Sequence, residues 1–236
     1  MFGSCRDRVD TYASSGLWLS QSIDDIAAEA MRFLGQGFRT MKVRLGSANP
    51  AEDVSRVRAV RAAVGDDVGL LVALNQGLTP QSAIQLARRL EEFDLVWIQE
   101  PVNAHDLAGH ALVRRSIDQH VATGETLYTS MCMQQILDAE ATDILMPDLQ
   151  RIGGYTEMRR ACAVARTRHV PVSTHFLTGH SLSVAGSESN IESVEHVDCL
   201  RYLFNETIDL EDGQLLIPQR LGTGFTFTDS VRAQLR

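Results

Sequence analysis

Short apolar runs recur along the chain, and each is followed by a segment with helical period and a recognisable start signal. "DTYASSG" precedes "SIDDIAAEAMRFL", in which Ser22 suits an N-cap and Ile26, Ala30, Phe33 and Leu34 share a face. "TMKVRLG" precedes "NPAEDVSRVRAVRAAVG", where Asn49 suits the cap, Pro50 the first helical position, and Val54, Val57, Val60 and Val64 form a stripe. The alternation continues through "GLLVALN", "LVWIQEP", "HVATGE", "DILMPD" and "VPVSTHF" as strands, with helical segments between them and "SLSVAGSESN" after the last. It closes on "HVDCLRYL" as the eighth strand.

Near-continuous apolar strands separated by amphipathic helices predict a parallel sheet covered by helices. About eight such units in about 200 residues favour a closed TIM-like (β/α)7-8 barrel over an open doubly wound sheet. The absence of GxGxxG and GxxxxGK[ST] weakens the open nucleotide-binding alternative. "LEDGQLLIPQRLGTGFTF" predicts a hairpin with an Asp-Gly turn and an appended segment. The expected organisation is a single domain: a leader over 1–8, the barrel over 9–204, and a hairpin and tail over 205–236.

Composition narrows the function classes. A formal charge of −8 over 236 residues disfavours nucleic acid and acidic membrane surfaces, which need clustered Lys and Arg. Cys5, Cys132, Cys162 and Cys199 are far apart and lack the density of a secreted disulfide scaffold. "MFGSCRDRVD" lacks the apolar core of a signal peptide, and no apolar run approaches the roughly 20 residues that span a bilayer. A cytoplasmic protein with reduced thiols is expected.

In such barrels the active site lies at the C-terminal ends of the strands, so the polar residues ending each apolar run are the candidates. They are Lys42 and Arg44 on the second strand, Asn75 and Gln76 on the third, Gln99 and Glu100 on the fourth, and Glu125 on the fifth. Asp148 ends the sixth, His175 the seventh and Arg201 the eighth. Singly, each has a plainer role: Asp148 as a helix cap, Arg201 as a surface residue near Asp198 or Glu206. Together they form a convergent ring where a barrel would otherwise hold Val, Ile and Leu.

The series "MKVRLG", "VALNQG", "WIQEPV", "TGET", "MPDLQRIGG" and "STHF" resembles the barrel domain of the enolase superfamily, mandelate racemase subgroup, over nearly the whole chain. The resemblance implies removal of the proton α to a carboxylate, in racemisation or acid-sugar dehydration, with the enolate stabilised by Mg²⁺ on three carboxylates. It places Lys42 against a substrate carboxylate, Arg44 where the racemases have a catalytic Lys, and Asp148 and His175 as orienter and base. It makes Glu125 the third metal ligand and Asn75 a family polar position. Arg151, Arg201 and Glu100 complete the expected substrate contacts.

The departures from the pattern matter more than the matches. Ala73 replaces the expected Asp, Gln99 replaces a metal carboxylate, and Arg201 stands for the acid usual on the eighth strand. Mg²⁺ prefers charged oxygen ligands in a strict octahedron, so weak or absent binding is expected. Arg44 is a poor base because a guanidinium keeps its proton. The relatives' N-terminal capping domain is also expected to be absent, which leaves self-association as an expectation for the uncovered mouth. Two functions follow. One is a divergent racemase or dehydratase with impaired catalysis; the other is a non-catalytic barrel that binds a small carboxylate or serves as a scaffold.

Overall fold

The computed structural model describes residues 3–234; residues 1 and 2 of the expected leader and 235 and 236 of the tail lie outside the described residues. Eight parallel strands alternate with helices: β1 (Arg8–Ala13), α1 (Ile23–Gly35), β2 (Thr40–Arg44), α2 (Pro50–Val64), β3 (Gly69–Ala73), α3 (Pro80–Arg89), β4 (Leu95–Gln99), α4 (Leu107–Arg114) and β5 (His120–Thr123). Then come α5 (Ser130–Asp138), β6 (Ile144–Leu145), α6 (Tyr155–Thr167), β7 (Val172–Thr174), α7 (Thr178–Ala185) and β8 (Ile191–His196). The order runs β2 through β8 to β1, and β1 pairs back onto β2, which closes a TIM-like barrel.

Local chemistry explains where the helices start. The Ser22 side chain accepts from the Asp25 amide, Asn49 accepts from the Ala51 amide ahead of α2, and Thr79 accepts from the Ser82 amide ahead of α3. Pro50 and Pro80 occupy first-turn positions, where the missing N–H has no partner to lose.

The expected hairpin is present as β9 (Leu210–Glu211) and β10 (Gln214–Leu216) around Asp212-Gly213, both with positive φ. It protects an edge. β10 pairs antiparallel with the first half of β1, whereas β1 meets β2 only at Ala13↔Met41, so the hairpin supplies the hydrogen bonds that β2 does not.

The eighth strand departs from expectation. It lies at Ile191–His196, and the apolar residues of "HVDCLRYL" fall instead in a loop and a 3₁₀ turn, Arg201–Leu203. Strand β8 hides because its inward face is polar, with Ser193 and Glu195 in place of the usual aliphatic residues. Alternation along each strand separates the two environments. Val43, Val72, Ile98, Leu145 and Val194 pack outward against the helices, in clusters that also hold Ile26, Val57, Leu86 and Met158. Inside, Tyr12, Leu71, Trp97, Ala122, Ile144 and Met146 form a small plug, with the Tyr12 and Trp97 rings edge-to-face at 5.4 Å. Above this plug the interior turns polar. Gly124, with φ +140°, is needed there, because a Cβ would lie 3.0 Å from the Met146 backbone nitrogen just where the chain delivers Glu125.

Candidate active site

Inward positions of β2, β4 and β8 bring three side chains from distant sequence together. Lys42 Nζ donates to Glu195 Oε1 at 2.5 Å and to Gln99 Oε1 at 2.8 Å, and the Lys42 and Glu195 side chains are 0% and 1% exposed. Gln99 Nε2 donates onward to Glu125 Oε2 at 2.5 Å. The amide has one orientation that works, since its oxygen must face the ammonium and its NH₂ the carboxylate. A Glu at this position would bring two carboxylates into contact, which only a shared proton or an intervening cation makes tolerable.

His175, following β7, completes the ring. Its Nδ1 lies 2.8 Å from Asp148 Oδ2, and its Nε2 lies 3.4 Å from Glu125 Oε2 and 3.6 Å from Glu195 Oε2. Asp148 holds its own place through Oδ1, which accepts from the Gln150 and Arg151 amides, so it braces this turn. It does not cap α6, whose N-cap is Gly154. Glu195 Oε2 also accepts from the Phe176 amide, and Ser14 Oγ donates to Oε1.

The electrostatics follow from burial and pairing. Burial alone would raise the Glu195 carboxyl, but Lys42, His175 and the hydrogen bonds from Lys42 and Ser14 outweigh it and hold the group well below its ordinary value. Asp148 is lowered in the same way, its burial outweighed by His175 and the two backbone amides. Burial would lower His175, yet the bond to Asp148 and the charges of Glu195 and Glu125 raise it, favouring the imidazolium. Burial depresses Lys42, with Glu195 opposing. Glu100 is pushed up to about 7 by burial and by Glu125, while Gln76 and Thr126 hydrogen-bond its two oxygens.

The expected residues therefore divide. Lys42, Gln99, Glu125, Asp148 and His175 form one connected cluster. Arg151 joins it at the rim, with Nη1 3.3 Å from Glu125 Oε1. Arg44 stacks over the Trp18 ring at 5.0 Å and donates to Ser14 Oγ, while its Nη1 is buried without a protein partner. Asn75 is exposed; its neighbour Gln76 turns inward instead and donates to Glu100 and Thr126. Arg201 lies beyond β8 on the 3₁₀ turn, exposed and outside the cluster, because the strand ends at His196, five residues before it. The acid of the eighth strand is Glu195, and only the period-two alternation of "IESVEH" could have revealed it.

The donor set bears directly on Mg²⁺. Ala73, in register between Arg44 and Gln99, brings no oxygen. Gln99 Oε1 is held by Lys42, and Glu125 Oε2 accepts from the Gln99 amide. Among the described residues no group of three or more His, Cys, Asp or Glu is arranged to hold a metal ion. A hexacoordinate hard cation does not fit these groups as they stand.

Removing one partner of the buried pair should be costly. Lys42→Met alone is expected to lower unfolding free energy by about 3–5 kcal/mol, and adding Glu195→Leu should recover most of that loss, as measured by urea denaturation. The pH dependence of stability in buffer containing EDTA should carry opposing contributions from the site, because buried His110, His180 and His196 are lowered and favour the fold as pH rises while the site groups divide. Asp148 and Glu195 are lowered, so their contribution is present above the ordinary carboxylate range and is lost as pH falls through it. Glu100 and His175 are raised, so their own contributions decline as pH rises, from 4.5 towards about 7 for the first and above 6.5 for the second. His175→Gln should flatten the decline above pH 6.5 in a series of denaturation curves.

Comparison with known proteins agrees with this architecture. The enolase C-terminal domain-like family matches residues 25–231. The chain is 33% identical over 232 residues to L-talarate/galactarate dehydratase of Salmonella typhimurium, covering 98% of this chain and 58% of that protein. The crystal structure of L-talarate dehydratase from Polaromonas sp. JS666, complexed with Mg and L-glucarate, superposes with a TM-score of 0.95 at 36% identity, covering 98% of this chain and 65% of that one. A mandelate racemase/muconate lactonizing enzyme from the same organism gives a TM-score of 0.95 at 36% identity, over 98% and 64%. The chain thus spans about three-fifths of the length of these relatives. With the barrel, the Asp148–His175 dyad and these matches together, the chain belongs to the enolase superfamily, in its mandelate racemase/muconate lactonizing enzyme type.

Proposed function

We propose that this chain is a divergent barrel that binds a small carboxylate or acid sugar in its mouth and has given up Mg²⁺-centred enolate chemistry. The observation that carries the reading is the Gln99 amide, whose two ends are spent on Lys42 and Glu125. Its NH₂ group supplies the positive edge that a cation would otherwise present to Glu125. Without a metal, the enolate left by α-proton removal lacks its main electrophile. His175 adds to the handicap, because its bond to Asp148 and the two facing carboxylates favour the imidazolium, a form with no free site for an incoming proton.

Carboxylate binding is supported by Arg44, whose buried Nη1 has no protein partner while the cluster's other cations face carboxylates. A guanidinium with an unused N–H beside an open mouth is suited to a carboxylate oxygen.

The second reading is a divergent racemase or acid-sugar dehydratase, favoured by the intact 2.8 Å contact between His175 and Asp148. A calorimetric Mg²⁺ titration beside the Ala73→Asp, Gln99→Glu variant separates the two. The proposal expects saturable heat from the variant alone, and no Mg²⁺-dependent deuterium exchange at the α-carbon of 2-hydroxy acids or aldarates by the unaltered chain. Tight Mg²⁺ binding by the unaltered chain, with exchange abolished by His175→Ala, would establish the enzyme reading instead.

A further inference from the structure

The end of β8 separates two sites. Glu195 points inward to Lys42, and His196, one residue on, points outward, its ring 5.1 Å from that of Phe38. Outside the barrel wall, between α7, the 3₁₀ turn Arg201–Leu203 and the tail near Phe225, lies a cleft of about 270 Å³. Its volume is near the lower end of small-molecule sites, about 300 Å³, so it suits one ring and not a nucleotide.

The lining is aromatic, and its polar groups are unequally satisfied. The His180 ring stacks on Phe225 at 5.7 Å and leans on Phe204 at 5.4 Å, and the two Phe rings meet edge-to-face at 5.5 Å. Buried among them, His180 Nδ1 has no partner. At the rim, the Arg201 guanidinium makes no hydrogen bond or ion pair among the described residues; only its backbone is engaged, the amide donating to the Asp198 carbonyl and the carbonyl accepting from the Phe204 amide. Of the two acids that line the cleft, only Glu206 is hydrogen-bonded through its side chain. Glu206 accepts from the Thr226 amide and hydroxyl at 2.7 Å each, and Asp198 Oδ1 lies 3.8 Å from His196 Nε2.

We propose that this outer cleft is a second binding site, distinct from the barrel mouth, for a single-ring aromatic carboxylate. The ring would lie against Phe204, Phe225 and His180. Its carboxylate would take the free N–H groups of Arg201, whose planar fork matches two carboxylate oxygens, and a hydrogen bond with His180 Nδ1.

The test titrates benzoate into the ¹⁵N-labelled full chain, with benzylamine as the cationic control of the same shape. The expected result is saturable shifts at residues 178–180, 196–208 and 225 that persist in Arg44→Gln, whatever shifts the mouth shows, a loss of affinity at this cleft of about tenfold or more in Arg201→Gln, and no shifts there with benzylamine. His180→Phe should also weaken binding while keeping the ring stack. Arg44→Gln, which alters the mouth, should leave benzoate affinity within about twofold. Shifts at the mouth alone, equal binding of benzylamine, an unaffected Arg201→Gln variant, or no saturable binding at the cleft would each overturn the proposal.

Discussion

The buried contact between Lys42 and Glu195 is the constraint around which the barrel mouth is arranged. Two opposite charges removed from water keep their ionised forms only if every remaining lone pair and proton finds a partner. The surrounding residues meet that demand in order. Gln99 takes a second Lys42 proton, Ser14 and the Phe176 amide serve Glu195, and Gln99 passes its own protons to Glu125. Such a network is rigid because each member is oriented by the next, and substitution of one member leaves its neighbours unsatisfied.

On the reading proposed above, this arrangement is what separates the chain from a relative crystallised with magnesium. A cluster of carboxylates without cations would repel itself and await a metal. Here Lys42, Arg151 and His175 already stand against Glu195, Glu125 and Asp148, so the mouth is close to internally neutral. The amide at position 99 is the hinge of that difference, since it turns a repulsive carboxylate pair into a hydrogen bond. The fold is shared with that relative, and the proposal places the difference in the charge balance at its functional end.

Five of the ten non-glycine residues with positive φ among the described residues follow β3, β4 and β7 at this end. Asn75, Gln76, Glu100, Phe176 and Leu177 all have positive φ, an uncommon state for residues with side chains. Gln76 and Glu100 thereby turn towards one another over the rim, and Phe176 presents its amide to Glu195. Beside the middle of β1, where Gly213 O accepts from the Thr11 amide, the hairpin turn uses Asp212-Gly213, the residue pair suited to left-handed backbone.

Much of this protein was legible in its sequence. Apolar runs, caps such as Ser22 and Asn49, and first-turn prolines are local signals, because helix and strand periods are set within a few residues. They predicted the alternating elements, the Asp-Gly hairpin, and the ring containing Lys42, Gln99, Glu125, Asp148 and His175. The eighth strand escaped because its inward face is Ser193 and Glu195, and its partner Lys42 lies 153 residues away. Gln76 exchanged roles with Asn75 for a similar reason, since a turn in positive φ decides which side chain points inward. The sequence by itself determined the elements and the chemistry available at their ends. Which charges meet, and so whether the mouth awaits a metal or neutralises itself, was decided only when barrel closure brought distant strands within hydrogen-bonding distance.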